Sequence, residues 1–356
     1  MNILMITRKI DHADALAGFA YGWVDKIAQE LKNLDANAKL YCICIEKGDV
    51  SGLPDNVEIY SLGKEVGVSR FGRFIEFQKY AIKIVPKVQG IFCHMNPEYT
   101  LNIWPYAKIH RKKIVSWYTH GTITWKLKLL VKMANVILTA SPESFPIHSE
   151  KVLATGHGID TELFHPIWKD YPDDALFHIL TVGRISPTKD LESLIKAIDS
   201  LDDGGEKNLI VKIVGEPGLP EHQSYFDNLK QMVRAMDLEK IIEFVGPIPN
   251  KEVVRFYQEA DVFINLSNTG SVDKAVLEAM ACGCTVITSN KAFKGIVSDN
   301  LLIEKDQPKE LAKKLFQIKN LTRQNKEKIR RVLREEVLKK HNLGSLAQFI
   351  VKQFVI

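Results

Sequence analysis

The chain has 356 residues, of which 46% are hydrophobic and 26% charged, so it is long and apolar enough to fold around two compact cores. No run approaches the roughly 20 consecutive apolar residues of a bilayer-spanning helix, which argues against a membrane-spanning chain. The first seven residues are too short and lack the basic start of a signal peptide, so we expect a cytoplasmic protein.

The positive charge lies in the first half of the chain. The net charge is +5, and residues 1–160 contain 20 Lys and Arg against 15 Asp and Glu, whereas the rest of the chain contains 28 of each sign. Basic clusters occur at residues 111–113 and at Lys126, Lys128 and Lys132. They fit a peripheral contact with an anionic inner membrane face, a phosphate-bearing acceptor, or an ordinary solvated face, and the sequence leaves these open.

The cysteines do not indicate a metal site or disulfides. Their number is odd, and they form no pair of Cys-x2-Cys clusters: Cys42, Cys44, Cys93, Cys282 and Cys284. We expect reduced thiols in the core and no metal.

Apolar segments alternate with helical patterns through the first half. Strands are predicted at residues 2–7, 39–45, 57–62, 90–95, 113–118 and 136–140. A helix is predicted at residues 19–34, where apolar side chains recur at helical spacing. Strands separated by helices predict a parallel sheet covered on both faces, which we assign to a domain at residues 1–160.

A linker is predicted at residues 161–175, where Pro166, Pro172 and several charges interrupt any period. The pattern then restarts, with strands predicted at 177–182, 209–214, 241–245, 262–266 and 285–288. Helices fill the gaps, notably at 225–236, 251–259 and 274–281, and two exposed helices are predicted within 307–340. The fold class is therefore α/β, with a second doubly wound, Rossmann-like domain at 176–340 and a last helix within 341–356.

The segment from Asp261 to Thr288 is the most informative part of the sequence. It predicts a strand, a loop of small polar residues that includes Gly270 and Ser271, and a helix that opens near Val272. The N–H groups and positive dipole of such a helix start attract phosphate. Glu278 follows about two turns later, at ~1.5 Å per residue, where a carboxylate can accept hydrogen bonds from a ribose diol. Its apolar flanks indicate a buried carboxylate, which favours a ligand contact.

Two cations follow the strand predicted at 177–182. Gly183 and Arg184 end this strand, and Lys189 precedes the next helix. Cations at the carboxyl edge of a strand, beside a helix start, can neutralise a diphosphate leaving group. An isolated pair of this kind would ordinarily be surface residues at a turn. No Asp-x-Asp occurs at a strand end to hold a divalent ion.

Three segments together resemble a known family. Residues 156–164 (GHGIDTELF), 182–189 (VGRISPTK) and 277–283 (LEAMACG) look like the signature segments of the family-four retaining glycosyltransferases. The resemblance implies the GT-B fold, in which two Rossmann-like domains face a cleft. It implies a nucleotide-sugar donor bound by the second domain, an acceptor bound by the first, and transfer with retention and without a metal. It also implies that the last helix crosses back to pack on the first domain.

The resemblance extends to single residues of the first domain. Gly18 would bring a backbone amide near the donor phosphate, and His120 would contact the sugar, so that Arg184, Lys189 and His120 form the catalytic set. Alternatively, Gly18 is a small residue that helix packing requires, and His120 is a structural histidine. His94, Asn96 and Glu98, after the strand predicted at 90–95, are weaker acceptor candidates. In the second domain, Ile248 follows a Gly-Pro turn that resembles the segment pairing with the nucleobase, although a hydrophobic staple explains it equally well.

One position departs from the family pattern. The family has a second Glu eight residues before Glu278, where this chain has Gly270. Asp273 and Lys274 could supply the missing donor-sugar contact, or Asp273 could simply complement the helix dipole.

What the resemblance implies is therefore a hexosyltransferase that uses a GDP- or UDP-sugar and a glycan, lipid-linked or small-molecule acceptor. We expect no cofactor and no nucleic acid. A catalytically silent GT-B protein that binds nucleotide or glycan is the alternative. A phosphorylase or epimerase is less favoured, because the chain is short and has no recognisable pyridoxal phosphate lysine.

Overall fold

The computed structural model describes residues 1–14, 18–168, 176–267 and 270–355. The chain folds into two units. The first comprises Met1–Asp160, Pro249–Lys251 and Lys340–Ile356, and the second comprises Thr161–Ile248 and Glu252–Lys339. Residues 161–168 of the predicted linker therefore belong to the second unit, and its residues 169–175 lie outside the described ranges.

The first unit is built on a parallel sheet, which has seven strands in the described part of the unit. These are β1 (Ile3–Ile10), β2 (Leu40–Lys47), β3 (Val57–Ser61), β4 (Gly90–His94), β5 (Lys113–Trp117), β6 (Val136–Thr139) and β7 (Val152–Ala154). Their order across the sheet is β3-β2-β1-β4-β5-β6-β7. The six predicted strands are confirmed to within three residues, whereas β7 was missed because three residues are too few to establish a period.

Helices cover both faces of this sheet. They are α1 (Phe19–Leu34), α2 (Arg70–Ile84), α3 (Pro97–Ile109) and α4 (Trp125–Met133). Alternate residues of each strand point to opposite faces, so Ile3 and Met5 join a core with α1, whereas Leu4 and Ile6 join a core with α2, α3 and α4. The bounds predicted for α1 are confirmed.

The second unit repeats this plan with a smaller parallel sheet. Its described residues form β8 (Phe177–Val182), β9 (Leu209–Val214), β10 (Ile242–Gly246), β11 (Val262–Asn265) and β12 (Thr285–Thr288), in the order β10-β9-β8-β11-β12. The helices are α5 (Leu191–Asp203), α6 (Gln223–Ala235), α7 (Val253–Glu259), α8 (Lys274–Ala281), α9 (Pro308–Lys319) and α10 (Arg323–Lys340).

The strand order reverses at one place in each sheet. In the first unit this switch lies between β1 and β4, and in the second it lies between β8 and β11. Loops that leave the carboxyl ends of these strands diverge to opposite faces and leave a crevice, which is where doubly wound sheets bind ligands. The topology thus marks the loops after β8 and β11 as a binding position.

The end of the chain returns to the first unit. The helix α11 (Leu343–Lys352) packs on α1, and its residues Leu346, Ile350 and Val351 are buried in the same core as Trp23. Backbone hydrogen bonds hold its start, since the Leu343 N–H donates to the Ile159 carbonyl at 2.8 Å. The first core therefore requires residues from both ends of the chain.

All five cysteines lie in the described ranges and are buried and free, as the sequence predicted. Burial raises the pKa of Cys93 and of Cys284 to about 12, so these thiols remain protonated and unreactive at neutral pH.

The packing of α11 yields a stability prediction. Ile350→Ala should lower the free energy of unfolding of the first unit by about 2–5 kcal/mol, because it leaves a cavity in a closed core. Phe349, on the exposed side of the same helix, is a matched control. Its replacement by Ala should cost less than about 1 kcal/mol. Urea unfolding followed by the fluorescence of the buried Trp23 and Trp117 measures both changes, and equal losses would contradict this packing.

Candidate functional site

The carboxyl end of β8 brings a glycine and a lysine together. Gly183 follows β8 with φ +145°, a backbone conformation that favours glycine. A Cβ atom on Gly215, at the end of the neighbouring β9, would lie 1.9 Å from the Gly183 carbonyl oxygen, so the two strand ends approach closely only as glycines. Lys189 lies on the short helical turn Pro187–Lys189, and a Cβ on Gly183 would lie 3.4 Å from its Cε. The Lys189 side chain is therefore folded back over the end of β8.

Lys189 is held by a carboxylate from the other side of the switch point. Its Nζ lies 2.9 Å from Asp273 Oδ2 and 3.5 Å from Ser267 Oγ. Asp273 also accepts hydrogen bonds from Asn265 Nδ2 at 2.9 Å and from Ser267 Oγ at 3.0 Å. Burial alone would raise the pKa of Asp273, but the charge of Lys189 and these hydrogen bonds outweigh it and hold the pKa below its ordinary value. Both side chains of the ion pair are 18% exposed.

Asp273 occupies the N-cap position of α8 without capping it. The helix runs from Lys274 to Ala281, which confirms the bounds predicted for it, and it begins two residues after Val272. The Asp273 side chain forms no capping hydrogen bond, because it is directed to Lys189, Asn265 and Ser267 instead. The side chain is therefore engaged by the ion pair and not by a capping hydrogen bond, while its negative charge still lies at the positive end of α8.

Glu278 is buried with two protein partners. Its Oε1 lies 3.0 Å from Lys274 Nζ as an ion pair without hydrogen-bond geometry, and its Oε2 accepts a hydrogen bond from Tyr257 Oη at 3.1 Å. Burial and the neighbouring Glu278 carboxylate raise the pKa of Tyr257 well above its ordinary value, so the phenol remains a donor. The predicted burial of Glu278 is confirmed, but Tyr257 and Lys274 offset its cost, so burial alone does not require a ligand contact. Lys274, proposed as a sugar contact, is directed to this carboxylate.

The sequence analysis missed a set of polar residues at the ends of β11 and β12. Asn265 and Thr288 are buried, and Thr288 Oγ1 donates to Asn265 Oδ1 at 3.2 Å. Asn290 Nδ2 donates to the Ser271 carbonyl at 2.8 Å, which fixes the loop before α8. An amide at the last position of an otherwise apolar strand was a signal that could have revealed Asn265, since a buried polar group needs partners.

The other donor-site candidates in this unit are accessible or provide only backbone atoms. Arg184 is exposed, its stem lies against Gly218, and it has no ion pair with any described residue. Gly270 has φ +73° with open space around it, whereas Val272 is buried, so only its backbone can meet a ligand. Ile248 is half-buried after β10.

In the first unit, Gly18 and His120 lie beyond the carboxyl ends of β1 and β5. Gly18 is the N-cap of α1, and a Cβ there would lie 2.5 Å from the Asp14 carbonyl oxygen, so a close backbone approach requires glycine. His120 is exposed, and its Nδ1 accepts a hydrogen bond from the Thr122 N–H at 3.2 Å. The neutral ring therefore carries its proton on Nε2, which can donate to a ligand.

The acceptor candidates after β4 have different environments. His94 is 1% exposed, its Nδ1 lies 3.0 Å from Thr7 Oγ1, and its ring centroid lies 4.5 Å from that of Trp23. This core position contradicts a direct acceptor contact by His94. Asn96 is exposed and donates to Tyr99 Oη at 3.2 Å. Glu98 pairs with Lys126 at 2.6 Å. Burial would raise the pKa of Glu98, but Lys126 lowers it below its ordinary value.

The described ranges contain neither a cluster of metal ligands nor a membrane-spanning helix. No three or more His, Cys, Asp or Glu side chains in these ranges are grouped as a metal ion would require. Among the helices of the described residues, none combines the length and apolarity needed to cross a bilayer.

Comparison with protein families places the site in a matched segment. Residues 169–336 match the family model described as Glycosyl transferases group 1, and this segment contains Lys189, Asp273 and Glu278. The chain is similar to a D-inositol 3-phosphate glycosyltransferase of Corynebacterium glutamicum (strain R), with 36% identity over 109 residues that cover 30% of this chain and 26% of that protein. It spans 26% to 41% of the length of the first curated relatives that it matches.

Two solved structures resemble the whole chain. A glycosyltransferase from Rickettsia africae ESF-5 superposes with a TM-score of 0.77 at 16% identity and covers 99% of this chain and 97% of its own. Anabaena Alr3699/HepE in complex with UDP and glucose has a TM-score of 0.73 at 16% identity, with 99% and 98% covered. Such identities show the fold alone, and the chain has the GT-B fold of two parallel-sheet α/β domains that the sequence predicted.

Proposed function

We propose that this chain is a retaining, metal-independent glycosyltransferase of family four that takes a sugar from a nucleotide diphosphate donor. One observation carries the proposal. Within the segment that matches the glycosyltransferase group 1 model, Lys189 after β8 meets the start of α8 after β11 at the switch point of the second sheet. A cation beside a helix N-terminus at a switch point suits a diphosphate.

The two cations have different tasks in this proposal. Arg184 is exposed and without an ion pair among the described residues, so it can approach the diphosphate directly. Lys189 is already oriented by Asp273 and requires little reorganisation when charge develops on the leaving group. The donor is a GDP- or UDP-sugar, and the UDP and glucose bound to Alr3699/HepE favour the latter.

Glu278 is proposed to bind the ribose. A carboxylate has about four lone-pair sites, and Tyr257 and Lys274 leave part of this capacity for the two ribose hydroxyls. The hydrogen bond from Tyr257 fixes the orientation of the carboxylate before the nucleotide arrives.

The proposed reaction is a substitution on one face of the sugar. The bond from the anomeric carbon to the diphosphate breaks while the bond to the acceptor oxygen forms, and the acceptor proton passes to a diphosphate oxygen. Arg184 and Lys189 stabilise the departing charge, and the Nε2–H of His120 donates to a sugar hydroxyl. The acceptor is a glycan, a lipid-linked molecule or a small molecule, with Asn96 and Glu98 as its candidate contacts.

A specific observation also favours a second candidate, the silent nucleotide- or glycan-binding protein. Lys189 and Glu278 both have partners within the protein, and Gly270 has no side chain to contact a sugar. An absence of both sugar transfer and donor hydrolysis across a panel of nucleotide sugars would favour this candidate.

The first functional prediction concerns Lys189. Lys189→Ala should lower kcat by about 100-fold or more, comparable to the loss of one preorganised electrostatic donor, while binding of the bare nucleoside changes little. Lys291 is a matched control, because it is a 69% exposed cation of the same unit at 3.8 Å from Glu304. Lys291→Ala should leave kcat unchanged. Steady-state kinetics and nucleoside titration measure the two effects, and normal turnover by Lys189→Ala would remove the central assignment.

The second prediction tests whether Asp273 acts through Lys189. Asp273→Asn removes a negative charge beside the proposed diphosphate, so UDP should bind more tightly. The same change releases Lys189 from its ion pair, so kcat should fall by about tenfold or more. Calorimetric titration with UDP and steady-state kinetics separate the two effects. Unchanged UDP affinity together with normal kcat would show that Asp273 has no part in the site, whereas altered donor-sugar preference would instead support a sugar contact.

The third prediction follows from the two cations in the leaving-group site. Prolonged treatment with a chelator should leave the transfer rate intact, since Arg184 and Lys189 supply the positive charge. Activity that disappears with chelator and returns with Mn²⁺ or Mg²⁺ would overturn the assignment of these residues.

A further inference from the structure

Positive charge is concentrated in one stretch of the first unit, residues 70–133, and is not spread over the first half of the chain. Residues 70–133 contain 12 Lys and Arg against 2 Asp and Glu, whereas the rest of the chain contains 36 Lys and Arg against 41 Asp and Glu. Both acidic residues of the stretch are paired, Glu76 with Lys79 at 2.6 Å and Glu98 with Lys126 at 2.6 Å. This stretch therefore carries a charge of +10 on a chain whose net charge is +5.

The helices of this stretch form one layer. Tyr106 on α3 donates to Gln78 on α2 at 2.6 Å, and Lys126 on α4 pairs with Glu98 on α3. Buried residues of all three helices join a single core on the same face of the sheet. The cations on the outer sides of α2, α3 and α4 therefore share one surface, and their field attracts an anionic partner.

The helix α2 adds an apolar stripe to this surface. Its exposed apolar side chains are Phe71, Phe74, Ile75 and Ile82, which are 75%, 48%, 39% and 62% exposed. Their spacing of i, i+3, i+4 and i+11 places them on one side of the helix, next to the side that buries Phe77, Ala81 and Ile84. Ser69 Oγ accepts a hydrogen bond from the Gly72 N–H at 3.1 Å and fixes the start of α2, so the stripe is held on a formed helix.

Cations border the stripe along the helix. Arg70 lies at one edge and Lys79 and Lys83 at the other, whereas the half-buried Arg73 lies further round the helix. Glu76 is the one acidic residue of α2, all of which is described. Single exposed apolar residues are ordinary on protein surfaces, but an apolar row bordered by cations is typical of helices that lie in a membrane interface. Phe and Ile side chains enter the acyl boundary there, while Arg and Lys reach lipid phosphates.

We propose that α2 docks this protein on bilayers that contain anionic lipids, with the Phe71 side of the helix entering the interface. The lipid phosphates complement the +10 stretch, and the acyl chains complement the stripe. A nucleic acid would match the charge but offers no partner for the isoleucines, so the apolar row favours lipid. The proposal uses none of the residues assigned to donor binding and holds whether or not the chain transfers sugar.

Vesicle binding by the purified full chain tests the proposal in the absence of any nucleotide sugar. The chain should sediment with phosphatidylcholine vesicles that contain about 30 mol% phosphatidylglycerol and much less with phosphatidylcholine alone. Binding should weaken as salt is raised, because screening shortens the range of surface charges. No binding to anionic vesicles even at low salt would overturn the proposal.

Paired variants separate the apolar and ionic parts. Phe71→Ser combined with Phe74→Ser should reduce the partition coefficient by about tenfold or more, and Arg70→Gln combined with Arg73→Gln by about tenfold. The controls are Val332→Ser and Lys339→Gln on α10, which replace a 60% exposed apolar residue and a lysine whose side chain is 70% exposed, and both should bind like the unchanged chain. Circular dichroism and thermal unfolding confirm that each variant is folded.

Three outcomes would overturn docking through α2. Binding that depends on the arginines but not on Phe71 and Phe74 would leave only nonspecific attraction. An equal loss in the controls would show a general surface effect. A dimer in solution that the phenylalanine variant converts to a monomer would assign the stripe to a second copy of the chain.

Discussion

The ion pair between Lys189 and Asp273 is the interaction on which the second unit's candidate site depends. It joins the loop after β8 to the start of α8 across the point where the strand order reverses. Two unit charges about 3 Å apart attract by several kcal/mol at the effective dielectric of a protein surface, but each also loses hydration. The hydrogen bonds from Asn265 and Ser267 offset part of that loss, because they satisfy the carboxylate in the geometry that also receives the ammonium. The pair therefore needs the polar strand ends around it, and those polar residues need Asp273.

The same pair sets the charge balance that a diphosphate would meet. Lys189 and Asp273 cancel, as do Lys274 and Glu278, so the net positive charge for an anionic donor comes from Arg184 and the amides of α8. A site of this kind would bind the ground state less tightly than a site with free cations. It would still hold Lys189 in place for the charge that grows on the leaving group. Binding energy lowers a reaction barrier only where an interaction is stronger in the transition state than in the ground state.

Much of the fold could be predicted from the sequence, because each strand carries its own apolar run. The strands β8, β9 and β12 begin and end at the predicted residues, and a turn former directly follows each of them: Gly183, Gly215 and Ser289. For the candidate site, the sequence predicted which residues belong to it but not which of them contact one another. Tyr257 lies on α7, 21 residues before Glu278, and no local pattern announces that they meet. The burial of His94 depends on Trp23 and Trp117, which come from another helix and another strand. The pairing of Lys274 with Glu278 could have been predicted from the sequence, because residues four apart on a helix are neighbours.

Gly270 and Asp273 lie three residues apart in the segment that leads into α8, and they contribute different kinds of atoms to it. With φ +73°, Gly270 adopts a backbone conformation that an L side chain enters only at a cost of about 1 kcal/mol, although there is open space around it. A glutamate restored at this position would therefore strain the loop rather than simply return the family's contact. The chain instead carries its carboxylate three residues later, at the N-cap of α8, where it contacts Lys189. Position 270 thus contributes backbone atoms alone, and the carboxylate that follows it in the loop, Asp273, is paired with Lys189.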